Sequence, residues 1–170
     1  MSPRVHFAMT LLLSSLGVCA SLSCGGAADT GCNGHLELCE RPYDQVAYAT
    51  THNAHASTAD GFSPPNHTEG LTQQLEDGIR GFMLDTYYDD RFGGAPTLCH
   101  GACVFGRRPL VDGLRELNDF LDAHPGEVIT IIFESYINAE DTLASFEESG
   151  LLDRTYAHTA GEPWPTLGEL

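Results

Sequence analysis

The stretch His124-Pro125-Gly126-Glu127-Val128-Ile129-Thr130-Ile131-Ile132-Phe133-Glu134 decides the fold. A proline–glycine turn opens it, a largely β-branched run follows, and that run is apolar on both faces, as a strand covered on both sides must be. It predicts a strand over Val128 to Glu134. Upstream, Leu110, Leu114, Leu117 and Leu121 recur at helical spacing with Val111 and Phe120 beside them, so Val111 to Ala123 reads as an amphipathic helix stopped by Pro125. Downstream, Ala139 to Ser149 reads as a second helix, with Leu143 and Phe146 inward and Gly150 as its left-handed terminator. Earlier strand candidates at Val46 to Thr51 and Gly81 to Tyr87, and a turn of helix over Gln73 to Asp77, complete an alternation of strand and helix. Such alternation is the habit of βαβ units in an α/β fold with a parallel sheet.

The chemistry-bearing residues fall at the carboxyl ends of these strands. Thr51-His52-Asn53 closes the first, Asp85 lies at the carboxyl end of the second, and Glu134 closes the third. In parallel α/β architectures those ends share one rim, where active sites are built. Singly, an Asn or Asp after a strand is ordinary turn chemistry. Jointly they point further, because a carboxylate at the end of an apolar strand is costly without a cation or proton to offset it, and this occurs at Asp85 and again at Glu134.

The sequence carries 24 acidic residues against 8 basic ones, all arginine, for a net charge of −16. That excludes nucleic acid as a natural partner and argues against adhesion to anionic lipid by charge alone. Residues 1–24 have the form of a secretory signal, with Arg4 ahead of the apolar run Phe7 to Val18 and small residues after it. The run is too short to span a bilayer. Cys19 and Cys24 each end an approximate lipoprotein-type box, so a lipid anchor at Cys24 stands as the alternative to free secretion. Residues 25–41 read as a small, polar tether. Cys32, Cys39, Cys99 and Cys103 form two close pairs suited to disulfides in an oxidising compartment, although four cysteines allow three connectivities. A zinc site at Cys99, His100 and Cys103 is the weaker reading, since a second ligand pair is lacking.

The segments Tyr48-Ala49-Thr50-Thr51-His52-Asn53-Ala54, Gln74-Leu75-Glu76-Asp77-Gly78-Ile79-Arg80-Gly81-Phe82-Met83-Leu84-Asp85, Leu98-Cys99-His100-Gly101 and His124-Pro125-Gly126-Glu127-Val128-Ile129-Thr130 resemble, in order and spacing, the X-type catalytic region of phosphatidylinositol-specific phospholipase C proteins, in particular secreted bacterial and fungal ones. The resemblance implies that residues 42–170 are the N-terminal half of a (β/α)8 barrel of the TIM type, part of a phosphodiesterase catalytic domain, in a truncated chain. Trp164 to Leu170 is similar to the family's approach to its next strand. It further implies His52 as base and His100 as acid in phosphodiester cleavage through a cyclic phosphate, with a phosphoinositide or related lipid as substrate and a place in lipid metabolism. Imidazoles suit such paired roles because they titrate near neutral pH.

Within that family, positive charge on the phosphate comes from an arginine on the second strand or from a bound metal. With Asn53 after His52, Asp85 in the arginine's place and Glu134 on the third strand, this chain resembles the metal-assisted type. These oxygen ligands suit Ca²⁺, with Mg²⁺ as alternative. The departure is Met83, on the same face of the strand as Asp85, where the calcium enzymes usually carry another acidic ligand. Arg80 is expected to make a structural ion pair, and Arg107 and Arg108 to be solvated. Cys99 and Cys103 are expected to lock the loop of His100. Contact with a membrane would come through the lipid substrate or an anchor. Competing readings are a glycerophosphodiester phosphodiesterase, whose usual first-strand His-Arg is here His52-Asn53, and a noncatalytic barrel-type binding protein or truncated fragment.

Overall fold

The computed structural model describes residues 31–170. The expected leader, Cys19 and Cys24, and residues 25–30 of the expected tether lie outside the described residues. Strand β1 (Thr50–Thr51) is followed by helix α1 (Leu71–Glu76), strands β2 (Gly81–Asp89), β3 (Ala95–Leu98) and β4 (Arg108–Pro109), helix α2 (Leu110–Ala123), strand β5 (Thr130–Ser135) and helix α3 (Ala139–Ser149). The class is α/β, as expected, but the sheet is mixed.

β2 is its centre. β1 runs parallel to β2 through Thr50 opposite Gly81, and β5 runs parallel on the other side, with Asp85 opposite Glu134. β3 runs antiparallel to the far half of β2, from Thr86 opposite Leu98 to Asp89 opposite Ala95, and β4 continues from β3. This hairpin turns through Asp90–Phe92 and two glycines in the left-handed region, Gly93 and Gly94.

One face of the sheet is covered. Phe82 and Leu84 of β2 and Leu98 of β3 are completely buried with Leu71, Leu75, Leu110, Leu114 and Leu117 of α1 and α2. Burial on this scale is the main stabilising term of the fold, at about 1.5–3 kcal/mol for each large apolar side chain. Gly113 lets α2 lie close to β3, since a Cβ there would stand 2.7 Å from Leu98 Cδ1 and push that side chain aside. On the opposite face, Met83 is half-buried and its neighbour Ile132 is 44% exposed.

α3 departs from the expected orientation. Phe146 packs edge-on to Phe133, but Leu143 is 54% exposed. The buried positions are instead Ser145 and Ser149, whose hydroxyls bond to the helix's own carbonyls of Asp141 and Phe146. Small, internally satisfied residues let α3 lie close to α2, and that rotation turns Leu143 outward. The ends are as read, with Asn138 Oδ1 accepting from the Asp141 N–H at 2.7 Å and Gly150 left-handed at φ 78°. Asn138→Ala is expected to cost about 1 kcal/mol, measured by urea denaturation.

The expected tether ends earlier than residue 41. The Cys32–Cys39 disulfide closes a loop held against the start of β5, where the Asn33 N–H donates to Gly126 O at 3.1 Å and the Val128 N–H to Asn33 Oδ1 at 2.7 Å. Val128 is thereby drawn off the sheet, and β5 begins at Thr130. The final residues fold back onto this loop. The Gly168 N–H donates to Cys39 O at 3.0 Å, and the Trp164 ring stands 4.6 Å from that of Tyr43, whose hydroxyl meets Thr130 Oγ1 at 2.7 Å. Among the described residues no helix is long and apolar enough to cross a membrane.

Candidate active site

β1 delivers His52 and Asn53 as the chain leaves the sheet. Asn53 turns into the left-handed region at φ 51°, a conformation that asparagine tolerates better than most residues, and the Ala54 N–H then bonds to Met83 O at 2.9 Å. The turn is secured from two more sides. Thr51 Oγ1 donates to Gln74 Oε1 at 2.7 Å, while Gln74 Nε2 donates to Ala54 O at 2.8 Å. His67 Nε2, protonated because a carbonyl only accepts, bonds to His52 O at 2.7 Å. Gln74 and His67 thus hold the His52 turn; both contacts span loops, and no local periodicity announces them.

Asn53 joins three strands. With its amide nitrogen toward Asp85 it donates to the carboxylate oxygens at 3.0 and 3.1 Å, and its oxygen accepts from His100 Nε2 at 3.2 Å. The reverse orientation would set the amide oxygen against a carboxylate, so the hydrogen-bond network selects the first. His100 follows β3, and the Cys99 N–H donates to Asp85 O at 3.3 Å. The Cys99–Cys103 disulfide closes the His100 loop as expected.

Asp85 is 5% exposed and sits opposite the exposed Glu134. Burial first, and then the Glu134 charge, push its carboxyl pKa above the ordinary carboxylate value, while positive charge on His100 or His52 pulls it down. Both imidazoles therefore act on one carboxylate. Neither Asp85 nor Glu134 has an arginine partner among the described residues. Glu134 is instead positioned by Tyr136, whose hydroxyl donates to it at 2.6 Å and whose ring stacks on Tyr87 at 4.5 Å. That hydrogen bond raises the Tyr136 phenol to about 12, so it remains a donor. Tyr136 was not among the expected site residues; its position two residues past Glu134, just beyond the end of β5, was the available signal.

Asp85 and Glu134, the first buried and neither paired with an arginine among the described residues, are carboxylates of the kind that hold a hard divalent cation; the Asn53 oxygen is engaged by His100 and would join them only with the amide turned over. Met83 and Ile132 lie below them on the same face and add no ligand. The His/Cys/Asp/Glu group whose atoms cluster most like a metal site, Asp89 with Cys99 and Cys103, is not one, because both sulfurs are consumed in the disulfide.

His55, for which the sequence suggested no role, is fully buried against the Phe62 ring, and burial holds it neutral with a pKa pushed down to about 4. Arg80 makes its expected ion pair, with Glu127 at 2.5 Å, and its guanidinium also covers the Phe120 ring. Arg108 is not solvated as expected: it bridges Asp60, at 3.0 Å, and Glu116, tying β4 to α2 and to the loop after His55.

Among known proteins, the chain is similar to PI-PLC X domain-containing protein 1 of Arthroderma benhamiae, 31% identical over 185 residues that cover 100% of this chain and 56% of that protein. A PI-PLC X domain-containing protein of Arabidopsis thaliana is 30% identical over 146 residues, covering 76% of this chain and 34% of the relative. An uncharacterized secreted protein of Arthroderma benhamiae is 29% identical over 82% of this chain and 32% of its own length. The chain therefore spans between about a third and a little over half of these relatives' lengths, and its two disulfides are consistent with export. Residues 38–170 match the sequence profile described as PI-PLC X 1, and with that match the chain belongs to the PI-PLC X family.

Proposed function

We propose that this chain is the part of a phospholipase C-type phosphodiesterase that carries its catalytic histidines, read as half of a TIM-type barrel, acting outside the cell on a phosphoinositide or related phosphodiester with a neighbouring hydroxyl. The observation that carries the reading is Asn53, which links His100 to Asp85 while its own turn presents His52 beside the same carboxylate.

His52 takes the proton from the neighbouring hydroxyl, and that oxygen attacks phosphorus. The bond from phosphorus to the departing oxygen breaks as His100 gives that oxygen a proton, leaving a cyclic phosphate. In the second half, His100 takes a proton from water, the water oxygen opens the ring, and His52 returns its proton to the alcohol. In the orientation that faces Asp85, the Asn53 oxygen accepts from His100 Nε2 and so fixes the ring's position. Asp85 and Glu134 would hold Ca²⁺ or Mg²⁺, with Asn53 joining them if its amide turned its oxygen from His100 to the ion. The cation's contribution, when bound, is positive charge against the nonbridging phosphate oxygens. Met83 removes one carboxylate from that set, so affinity for the cation is expected to be modest.

The direct test is ³¹P NMR of phosphatidylinositol treated with the full chain, with Ca²⁺ or with chelator. Cyclic and linear inositol phosphate are expected with Ca²⁺, and little of either with chelator. Absence of both products from a folded protein, with glycerophosphodiesters also left intact, would overturn the enzymatic reading in favour of a binding protein, which Met83 favours.

A further inference from the structure

On the open face of the sheet β2 carries Met83, Asp85 and Tyr87 at alternate positions, while Ile132, Glu134 and Tyr136 run beside them along β5 and just past its end. Met83 and Ile132, on one side of the two carboxylates, bring no charge to brace them. The two tyrosines stand on the other side and take no part in the proton transfers.

The carboxylates differ in how they are held. Asp85 is buried and accepts two hydrogen bonds from Asn53. Glu134 is exposed and lies opposite Asp85 across the strand pair, where like charge pushes it away. A glutamate so placed would swing into water, and its side-chain torsions would have to be ordered when an ion bound.

Tyr136 opposes that freedom. Its N–H donates to Thr86 O at 2.9 Å, carrying the β2–β5 pairing one residue past the ladder. At the last pair of that ladder Thr86 Oγ1 donates to Ser135 Oγ at 3.2 Å, so the two strands are tied by side chains as well. The Tyr136 ring is 56% exposed, so contacts and not burial fix it: it leans across to β2 and stacks on Tyr87 with 4.5 Å between centroids and 15° between planes. From this ring the hydroxyl donates to Glu134 Oε1 at 2.6 Å, and Oε2 has no hydrogen bond among the described residues. Tyr87 is two residues beyond Asp85 on β2, so one aromatic stack is the reference for both carboxylates. Neighbouring strands lie about 4.8 Å apart, which lets opposed carboxylates reach one ion with the backbone unmoved.

We propose that the Tyr87–Tyr136 stack is the outer support of the cation site, fixing Glu134 through Oε1 and leaving Oε2 for the ion, so that two pre-ordered carboxylates serve where Met83 supplies none. This deepens the phosphodiesterase reading and rests on its cation site. Removing an outer partner of this kind lowers metal affinity about 10–100-fold, because the ligand stays but its order is lost.

The test is calorimetric titration of the full chain with Ca²⁺, beside urea denaturation in chelator. Tyr136→Phe keeps the ring against Tyr87 and loses only the hydroxyl, whereas Tyr87→Leu keeps the hydroxyl and loses the ring that steadies it. Both are expected to weaken Ca²⁺ binding, Tyr136→Phe by about 10-fold, with the urea midpoint of Tyr136→Phe in chelator unchanged. Parent-like or tighter binding by Tyr136→Phe would overturn the support and leave the phosphodiesterase reading intact, the tighter case showing that the hydroxyl competes with the ion for Glu134. A loss of affinity matched by an equal loss of stability in chelator would overturn it as well, reducing the stack to packing. A parent that binds no Ca²⁺ would remove the cation site together with its support, and the two-histidine reading would then rest on the ³¹P NMR of phosphatidylinositol alone.

Discussion

His52→Ala is expected to lower turnover of phosphatidylinositol by about 10²–10⁴-fold, the usual contribution of a positioned acid or base. His100→Ala is expected to fall in the same range, and the double variant no further than the worse single one, because the two act in one proton relay. The physical reason is in the supports. His52 leaves β1 on a turn gripped by Gln74 and His67, and His100 is held by Asn53 within a loop closed by a disulfide. Ring position is thus inherited from backbone and neighbours, so an alanine removes the imidazole and little else. Single-turnover ³¹P NMR reads the effect directly. Parent-like rates in either variant would show that the proton moves by another route.

Asp85→Asn should move activity and stability in opposite directions. Turnover is expected to drop about 10²–10³-fold, the scale of losing one electrostatic stabiliser of a developing charge. Stability follows from the raised pKa. A carboxyl whose folded pKa lies above its unfolded value contributes stability that is fully present below the unfolded pKa and is lost as pH rises through the folded one. In chelator, at a pH above that folded value, the parent therefore carries an ionised, buried carboxylate that the asparagine variant lacks, and the variant should be the more stable. That advantage should vanish as pH falls below the ordinary carboxylate range. Ca²⁺ reverses the order above the folded pKa by binding the parent's ionised site and stabilising it through mass action. Urea titrations across pH, with and without Ca²⁺, check all three statements. A Ca²⁺ response that is absent from the parent, or retained in the variant, would remove Asp85 from the cation site.

The parts of the fold that the sequence announces are those with a period. The leucine stripe of α2 buries its face, so pattern and position agree there; the β-branched run of β5 forms the strand but is not covered on both sides as read, since among the described residues it pairs with β2 alone and Ile132 is 44% exposed. β3 and β4 have no such signal. Ala95-Pro96-Thr97-Leu98 is short and carries a proline, and it becomes a strand only because the far half of β2 offers it a partner. The Gly93-Gly94 pair, both left-handed, was the available hint of that hairpin. β1 shrinks to Thr50–Thr51 because it meets β2 at only two positions. The candidate site was legible as a set of residue types, and the structure links Asn53, Asp85 and His100 by hydrogen bonds; but Asp85, read at the end of its strand, lies midway along β2, which continues to Asp89 because β3 pairs with its far half. The supports of the site were not legible, because Gln74, His67 and Tyr136 act through tertiary contacts that no local pattern announces.

The ring cluster at the start of β5 makes the protein its own optical gauge. Trp164 is the single tryptophan in the sequence, stacked on His158 at 3.8 Å between centroids and leaning on Tyr43. It sits at the opposite end of β5 from Glu134. Emission excited at the indole therefore follows the docking of the last residues onto the Cys32–Cys39 loop, and a change of light there separates loosening of that seam from events among the histidines.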